Sequence, residues 1–455
     1  MIALSKRLSM LAVVWLVTAM LAVQPAFAQG RQMQFIRDTE IEQTLKAFAT
    51  PILQSAGIVP EAVTIALIKD DELNAFVAAG QNIFWFTGML MDTELDELIG
   101  VMAHEIGHIS GGHLARGRNA MEDAAVVATL STLLGLAAAI GAGRGDVGAG
   151  VMGGGQEVAR RTYLSHSRGQ EGGADEFAFT HLEKVGWPAT GMVKLMSRLM
   201  DQTLLPQSRQ VEYLLTHPLQ SNRLEAARNF VENRSKHSNS RFPEPFYEYH
   251  ARMKAKLMGF IRPQQALRKF DAAATDIPSR YGRAIALYQT GSVDEALRLM
   301  DGLIKEEPEN PYFHELKGQI LFENSRTADS VPPYREAVKL MPEAGLLRAA
   351  LGHALLEAGD DKLLDEAILN LGEATRLERR SSLPWRLLAS AYSRADMKPQ
   401  LAYARAEEAL ARGDIQAAKF HADQAERMLP AGSPEWLRAQ DIRVLVENSP
   451  GRQRG

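Results

Sequence analysis

Small residues recur every 34 positions through the second half of the chain. Ala284, Gly318 and Gly352 lie at that interval, each inside a similar short string: Arg-Ala-Ile-Ala-Leu, Lys-Gly-Gln-Ile-Leu and Leu-Gly-His-Ala-Leu. Pro308 and Pro342 repeat the interval, while Gly291 to Pro308 and Gly413 to Pro430 each span 17 residues, half of it. A period of this length accommodates two helices and two turns. Such a unit cannot cover its own apolar face, so it stacks on its neighbours. The product is an α-solenoid with a concave surface suited to proteins or peptides.

The turn glycine, the small residue of the second helix (Ala296, Ala367) and the closing proline resemble the tetratricopeptide repeat. Two departures stand out. Gly359-Asp360-Asp361-Lys362 begins an insertion, and the unit near Ser325–Pro333 lacks the usual small residues. Four or five units are expected over 246–448, and a generic helical bundle is the alternative.

The chain has 455 residues, 46% hydrophobic and 23% charged, which excludes a mainly disordered protein and leaves room for two to four cores. Met1–Ala28 reads as a cleaved secretory signal. Lys6 and Arg7 precede the apolar run Leu11–Val23, and Ala26-Phe27-Ala28 forms a small-x-small site before Gln29. An uncleaved membrane anchor is the rival reading. Removing the two cations takes the net charge from −4 to −6, so no basic excess argues for nucleic acid. With no cysteine there are no disulfides, no thiol catalysis and no cysteine-linked lipid. A Gram-negative periplasm fits an exported chain of this kind.

Between the signal and the repeats, residues 29–232 read as one domain. Ile41, Leu45, Phe48 and Ile52 have helical spacing. After Pro60, Val63–Ile68 reads as a strand. Ala75–Ala79 and Ile83–Thr87 flank Gly80-Gln81-Asn82 as a hairpin that Gly88 ends. A helix follows, capped by Asp92 or Thr93, with Leu95, Leu98, Ile99 and Met102 on one face. Ala124–Gly143 carries no charge over twenty residues, and Gly145–Gly155 follows it. Its small residues suit a packed helix, a mobile lid or a membrane-contacting segment. Glu171–Val185 is a helix stopped by Gly186. The polar stretch 233–245 reads as a linker, and 449–455 as a disordered tail.

The chemistry lies in His104-Glu105-x-x-His108. Residues four apart are about 400° apart around a helix, so the two imidazoles project within roughly 40° of one another. They can share one tetrahedral zinc ion, one per chain. Glu105, on the neighbouring face, can take a proton from the activated water. Zinc needs a third protein ligand. A histidine six positions on is ruled out by Leu114, and His113 misses by one. Glu171, with Asp175 one turn later to orient a ligand histidine, fits the alternative in which a later helix supplies a carboxylate. His166 is the rival third ligand, and His113 is read as a supporting or packing residue.

His104-Glu105-x-x-His108, then Ser167-Arg168-x-x-Glu171-x-x-Ala174-Asp175, resembles the peptidase family that includes the CAAX prenyl endopeptidase and several bacterial envelope proteases. Thr216-His217-Pro218 with Arg223 is similar to that family's third motif, and Asn74-Ala75-Phe76…Gly80…Ile83…Gly88 to its substrate-binding edge strand. The match covers about residues 35–230. It implies an α+β, mostly helical chain: a zincin-like metalloprotease domain with a small edge-exposed β-sheet, followed by the solenoid. It implies that substrate pairs with Ala75, Phe76, Val77 and Ala78, and that His217 or Arg223 stabilises the developing oxyanion. It also implies that His217 can swing in as a fourth zinc ligand and hold the protease off.

For an exported member with repeats, the resemblance implies outer-membrane protein quality control. Its clients would be unfolded or misassembled envelope proteins, and the repeats would meet the outer-membrane barrel-assembly machinery. Three function classes follow: a zinc endopeptidase, an assembly scaffold or chaperone with proteolysis dormant, and a membrane-embedded protease that uses 124–143 as a span.

Overall fold

The structure, a computed structural model, describes residues 34–78, 80–113, 168–204 and 211–447. The expected signal, the uncharged stretch 124–143, the glycine-rich run after it, His166, Ser167 and the tail 449–455 lie outside the described residues. None of the described helices is long and apolar enough to cross a membrane.

The first element is the short strand β1 (Phe35–Ile36), followed by α1 (Thr39–Ser55). Asp38 caps α1 by accepting the Ile41 N–H. The expected face is the buried one: Ile41, Leu45, Phe48 and Ile52 are all at most 2% exposed. Strands β2 (Thr64–Ile68), β3 (Ala75–Ala78) and β4 (Asn82–Phe86) complete a four-stranded sheet in the order β1-β2-β4-β3. β2 runs parallel to β4, and β3 antiparallel to it, with Ala75 opposite Trp85 and Val77 opposite Ile83. β3 is therefore a terminal strand among the described residues.

The hairpin ends differently from expectation. The strand stops at Phe86, and Thr87 opens the short helix α2 (Thr87–Asp92). Thr87 Oγ1 donates to Asp70 C=O at 2.8 Å and so fixes the turn. Gly88 lies inside this helix: a Cβ there would stand 2.2 Å from the Asp71 carbonyl oxygen, which only glycine avoids. The next helix, α3 (Leu95–Ser110), is capped by Glu94 rather than by Asp92 or Thr93. Asp92 closes α2, and Thr93 Oγ1 is turned back to Met89 C=O. The Glu97 carboxylate accepts the Glu94 N–H at 2.9 Å instead.

Leu98, Ile99, Met102 and Ile106 bury one face of α3 against α1 and the sheet. Helices α4 (168–184), α5 (Thr190–Met200), α6 (Glu212–Thr216) and α7 (Ser221–Asn229) pack around its other sides. Gly186 ends α4 with φ +77°, as its position promised.

Residues 233–245 form a packed joint, not a free linker. Phe242 is buried, and Glu183 accepts from Ser235 Oγ and the Lys236 N–H. The helix beyond, α8 (Glu244–Ile261), sends Phe246, Met253 and Leu257 into the core of the first domain. Composition hid this because the joint's polar side chains are satisfied by the surface they cross. α9 (Pro263–Lys269) then leads into the array.

The array comprises five helix pairs among the described residues. These are α10 (Ile277–Gln289) with α11 (Val293–Glu306), α12 (Pro311–Glu323) with α13 (Thr327–Leu340), and α14 (Gly345–Glu357) with α15 (Leu364–Leu377). Then follow α16 (Ser382–Arg394) with α17 (Lys398–Ala411), and α18 (Ile415–Met428) with α19 (Pro434–Glu447). The periodic small residues sit where paired helices touch. Ala284 is fully buried, and a Cβ on Gly318 or Gly352 would run into Tyr334 or Leu371. The irregular unit has its own solution: Ser330 stands 34 residues after Ala296 and is equally buried. The insertion is a three-residue 3-10 turn, Asp361–Leu363, which displaces the later helices along the chain.

The array is tied back to the first domain through buried charge. Glu40 of α1 accepts from Arg252 Nη2 at 2.7 Å and from the Tyr281 hydroxyl at 2.8 Å. Lys256 Nζ lies 2.7 Å from Asp38 and 3.3 Å from Glu40. Farther along, Arg37 pairs with Glu378 at 2.9 Å.

Candidate metal centre

Three segments meet at the site. α3 supplies His104, Glu105 and His108; α4 supplies Glu171 and Asp175; the turn after α6 supplies His217. Gly107 lets the first two approach, because a Cβ there would lie 2.9 Å from Ala174 Cα on α4. Any larger residue would push Glu171 and Asp175 away from the histidines.

His104, His108, Glu171 and His217 each direct one ligand atom to a common point, all within 4.8 Å of one another. His104 Nε2 stands 3.1 Å from His108 Nε2 and 3.4 Å from Glu171 Oε2. His217 Nδ1 lies 3.4 Å from His104 Nε2 and 3.4 Å from Glu171 Oε1.

The tautomers explain the convergence. Asp175 Oδ1 lies 2.9 Å from His104 Nδ1, so that nitrogen donates, and the neutral ring turns the lone pair of Nε2 inward. Ala75 C=O can only accept, so His217 Nε2, at 3.2 Å, donates and leaves the Nδ1 lone pair facing the centre. Lone pairs aimed at one another and at a carboxylate repel unless a cation lies between them. This donor set, nitrogens plus a carboxylate oxygen, suits a divalent transition-metal ion.

Residues 36–231 match peptidase family M48, and residues 261–320 match the tetratricopeptide repeat. Residues 36–231 are a peptidase family M48 domain. The whole chain is similar to the beta-barrel assembly-enhancing protease of Yersinia pestis, 26% identical over 445 residues, covering 94% of this chain and 89% of that protein. It is similar to the protein of the same name from Escherichia coli (strain K12), 27% identical over 420 residues, covering 90% and 83%. The chain is a metallopeptidase with tetratricopeptide repeats.

Within the M48 domain, burial and charge set the protonation states. Glu105 is fully buried, and neither of its oxygens finds a hydrogen-bond partner among the described residues. Burial pushes its carboxyl up, partly offset by His217 and His104. Burial also opposes charge on Glu171, but the ring nitrogens of His104, His108 and His217 turned toward it hold the carboxyl well below the usual range, as a cation shared among them would. Asp175 is held down in the same manner by His104 and Arg223.

Arg223 reaches the site, but not with a free hand. Nε and Nη2 donate to the two oxygens of Asp175 at 2.7 and 2.9 Å. Nη1 donates to Pro218 C=O at 2.9 Å and lies 2.9 Å from Glu171 Oε2. With all three nitrogens engaged, Arg223 orients Asp175 and Glu171, and the expected oxyanion role does not fit its geometry. His113 supports the site from behind, with Nδ1 3.0 Å from His108 Nδ1.

Two neighbours make contacts with the His217 turn that the sequence did not predict. Asn74 is fully buried and accepts from Thr216 Oγ1 at 3.2 Å, beside His217. Tyr213 lays its ring against His217, 4.7 Å between centroids. Tyr213 lies one helical turn before His217, the spacing that marks a shared helix face.

Proposed function

We propose that the chain is a zinc-dependent endopeptidase of the periplasm that cleaves misassembled outer-membrane proteins and assists their assembly. The convergence of His104, His108 and Glu171 on one point, beside the buried carboxylate of Glu105, carries the reading. His104, His108 and Glu171 would hold the ion, with Asp175 fixing the tautomer of His104. The bound ion supplies a Lewis acid that polarises a carbonyl and acidifies a water.

Each remaining task falls to a named residue. Glu105 accepts the proton of the attacking water, which the burial that pushes its carboxyl up favours. It then returns that proton to the leaving nitrogen as the peptide bond breaks. His217, once its ring is free of Ala75 C=O, would donate from Nε2 to the oxygen on which charge develops. β3 offers its open edge, Ala75, Phe76, Val77 and Ala78, to an extended chain, so that backbone bonds bind substrate with little sequence preference. The repeats, 246–448, hold clients or the barrel-assembly machinery on their concave face, while 29–232 does the chemistry.

Two features of the relatives support the setting. Their name couples a protease to β-barrel assembly, and the similarity runs through both halves of this chain. The signal-like Met1–Ala28 fits export. A membrane-surface contact through 124–143 belongs to the same proposal.

One observation favours a second reading, an assembly scaffold whose protease is dormant. His217 Nδ1 stands among the ligand atoms, so it can fill the fourth position and exclude water. Zinc content and casein cleavage, measured side by side on wild type and Glu105→Gln, test the first reading. Stoichiometric zinc in both with cleavage only in wild type is expected. No zinc under gentle purification would overturn it, and in-cell function that survives Glu105→Gln intact would favour the scaffold.

A further inference from the structure

The sheet has a second edge, opposite β3, and its covering strand is short. β1 pairs with β2 at two positions only, Phe35 opposite Ile68 and Ile36 opposite Leu67. Beyond Ile36 the chain leaves the sheet, because Asp38 turns to cap α1. Thr64, Ile65 and Ala66 therefore pair with β4 on one side and, among the described residues, with no strand on the other.

Two hydrogen bonds fix which backbone groups look outward. The Thr64 N–H donates to Gln81 C=O at 3.0 Å, on the β4 side. The Lys69 N–H donates to Gln34 C=O at 2.8 Å, on the β1 side. Bonding direction alternates along a strand, so Ile65 faces the same way as Lys69. Its N–H and C=O both point away from β4, and neither has a partner among the described residues. An unpaired strand edge is a template for another strand.

This edge opens into a cavity of about 730 Å³ between β2, α1 and the array, with 343–346 and 377–380 as its far wall. Thr39 lines the same cavity at 5% exposure, yet its Oγ1 has no hydrogen-bond partner among the described residues. Buried hydroxyls are normally paired, so this one is free to bond an entering group. The charge of the walls is unbalanced. Arg37 holds Glu42 and Glu378, and Arg376 holds Glu343. Lys46, Arg379 and Arg380 stand exposed with no ion pair among the described residues, against Glu61 alone.

We infer that the open edge of β2 is a second strand-docking site, which takes an extended, net-acidic segment of another polypeptide between the sheet and the array. The segment lies where β1 would run had it continued past Ile36. A residue opposite Ile65 closes both backbone bonds, as facing residues of an antiparallel pair do. Its neighbour opposite Ala66 sets its side chain on the face of Phe35, which is 55% exposed, so an apolar residue is favoured there. Acidic residues flanking this pair meet Lys46, Arg379 and Arg380. β4 separates this edge from β3, so the site does not depend on the function proposed above.

The test uses the full zinc-loaded chain carrying Glu105→Gln, which leaves peptides uncut. Isoleucine and valine amides are labelled with nitrogen-15, and the Ile65 and Val77 signals are assigned by their loss in Ile65→Leu and Val77→Leu. The probes are Asp-Asp-Val-Thr-Val-Thr-Asp-Asp and its copy with lysine for each aspartate. In the free chain the Ile65 amide is expected to exchange readily with solvent. The acidic peptide is expected to shift it and slow its exchange about tenfold or more. The lysine copy should bind more weakly, and Arg379→Glu with Arg380→Glu, both exposed, should weaken the acidic peptide about fivefold. An Ile65 amide protected in the free chain overturns the inference, the edge then being filled by the chain itself or by a second copy. An acidic peptide that shifts Val77 and leaves Ile65 unmoved also overturns it, and keeps β3 as the binding edge. A lysine copy that binds as tightly as the acidic peptide overturns the acidic selection.

Discussion

Asp175 joins His104 to Arg223: Oδ1 accepts from His104 Nδ1 at 2.9 Å, while both oxygens are gripped by Arg223. The carboxylate fixes the His104 tautomer, and the guanidinium fixes the carboxylate. Replacing Asp175 by Ala should therefore lower metal affinity about 10–100-fold without removing a ligand. Competition with a chromophoric chelator measures this. An affinity equal to wild type would mean that Asp175 only packs.

Glu105 and Glu171 are both buried carboxylates with opposite expected phenotypes. Glu105→Gln removes a proton acceptor and should lower kcat/KM by about 10²–10⁴ while metal content holds. Glu171→Gln removes a ligand charge and should lose the metal itself. Elemental analysis alongside a peptide assay separates the two. Full metal retention by Glu171→Gln would reassign the third ligand.

The legibility of this chain followed the range of its interactions. His104, Glu105 and His108 lie within one and a half turns of one helix, so their spacing alone placed them on adjacent faces. The repeat small residues were equally visible, because each contact they relieve lies within one helical hairpin. The engagement of Arg223 was not visible: its partners are 48 residues back on α4 and in its own turn, and no local pattern distinguishes a free guanidinium from a pinned one. The joint at 233–245 was misread for the same reason. Its polar residues look solvated until α8 is seen to fold back with Phe246 against Phe48, 4.8 Å between rings. The cap of α3 failed on a local competition, because Thr93 bonds backward into α2.

Glu40 is the keystone of the contact between the M48 domain and the array. At 2% exposure it meets Arg252, Lys256 and the Tyr281 hydroxyl. Replacing it by Ala leaves Arg252 with Glu248 and Glu307 at 3.4 and 3.6 Å and Lys256 with Asp38 at 2.7 Å, so the cost should stay below that of a fully stranded charge, at about 1–3 kcal/mol. Denaturant unfolding of Glu40→Ala should show a midpoint lowered accordingly. A loss below about 1 kcal/mol would mean that water already reaches these cations.

His250 sets an acid limit on stability. It faces the α2–α3 junction from α8, is 6% exposed, and its Nε2 has no hydrogen-bond partner among the described residues. Burial, then the charge of Lys254, pushes its pKa down to about 4, against a weaker opposing pull from Glu94 and Asp96. The unfolded chain takes up the proton near pH 6.5, whereas the folded chain resists it until about pH 4. Stability from this group is therefore complete above about pH 6.5 and falls as pH drops through that window, by about 3 kcal/mol in all. His250→Phe should flatten this part of the stability profile between pH 6.5 and 4, measured by urea unfolding at stepped pH. A variant whose profile parallels wild type would place the acid sensitivity elsewhere.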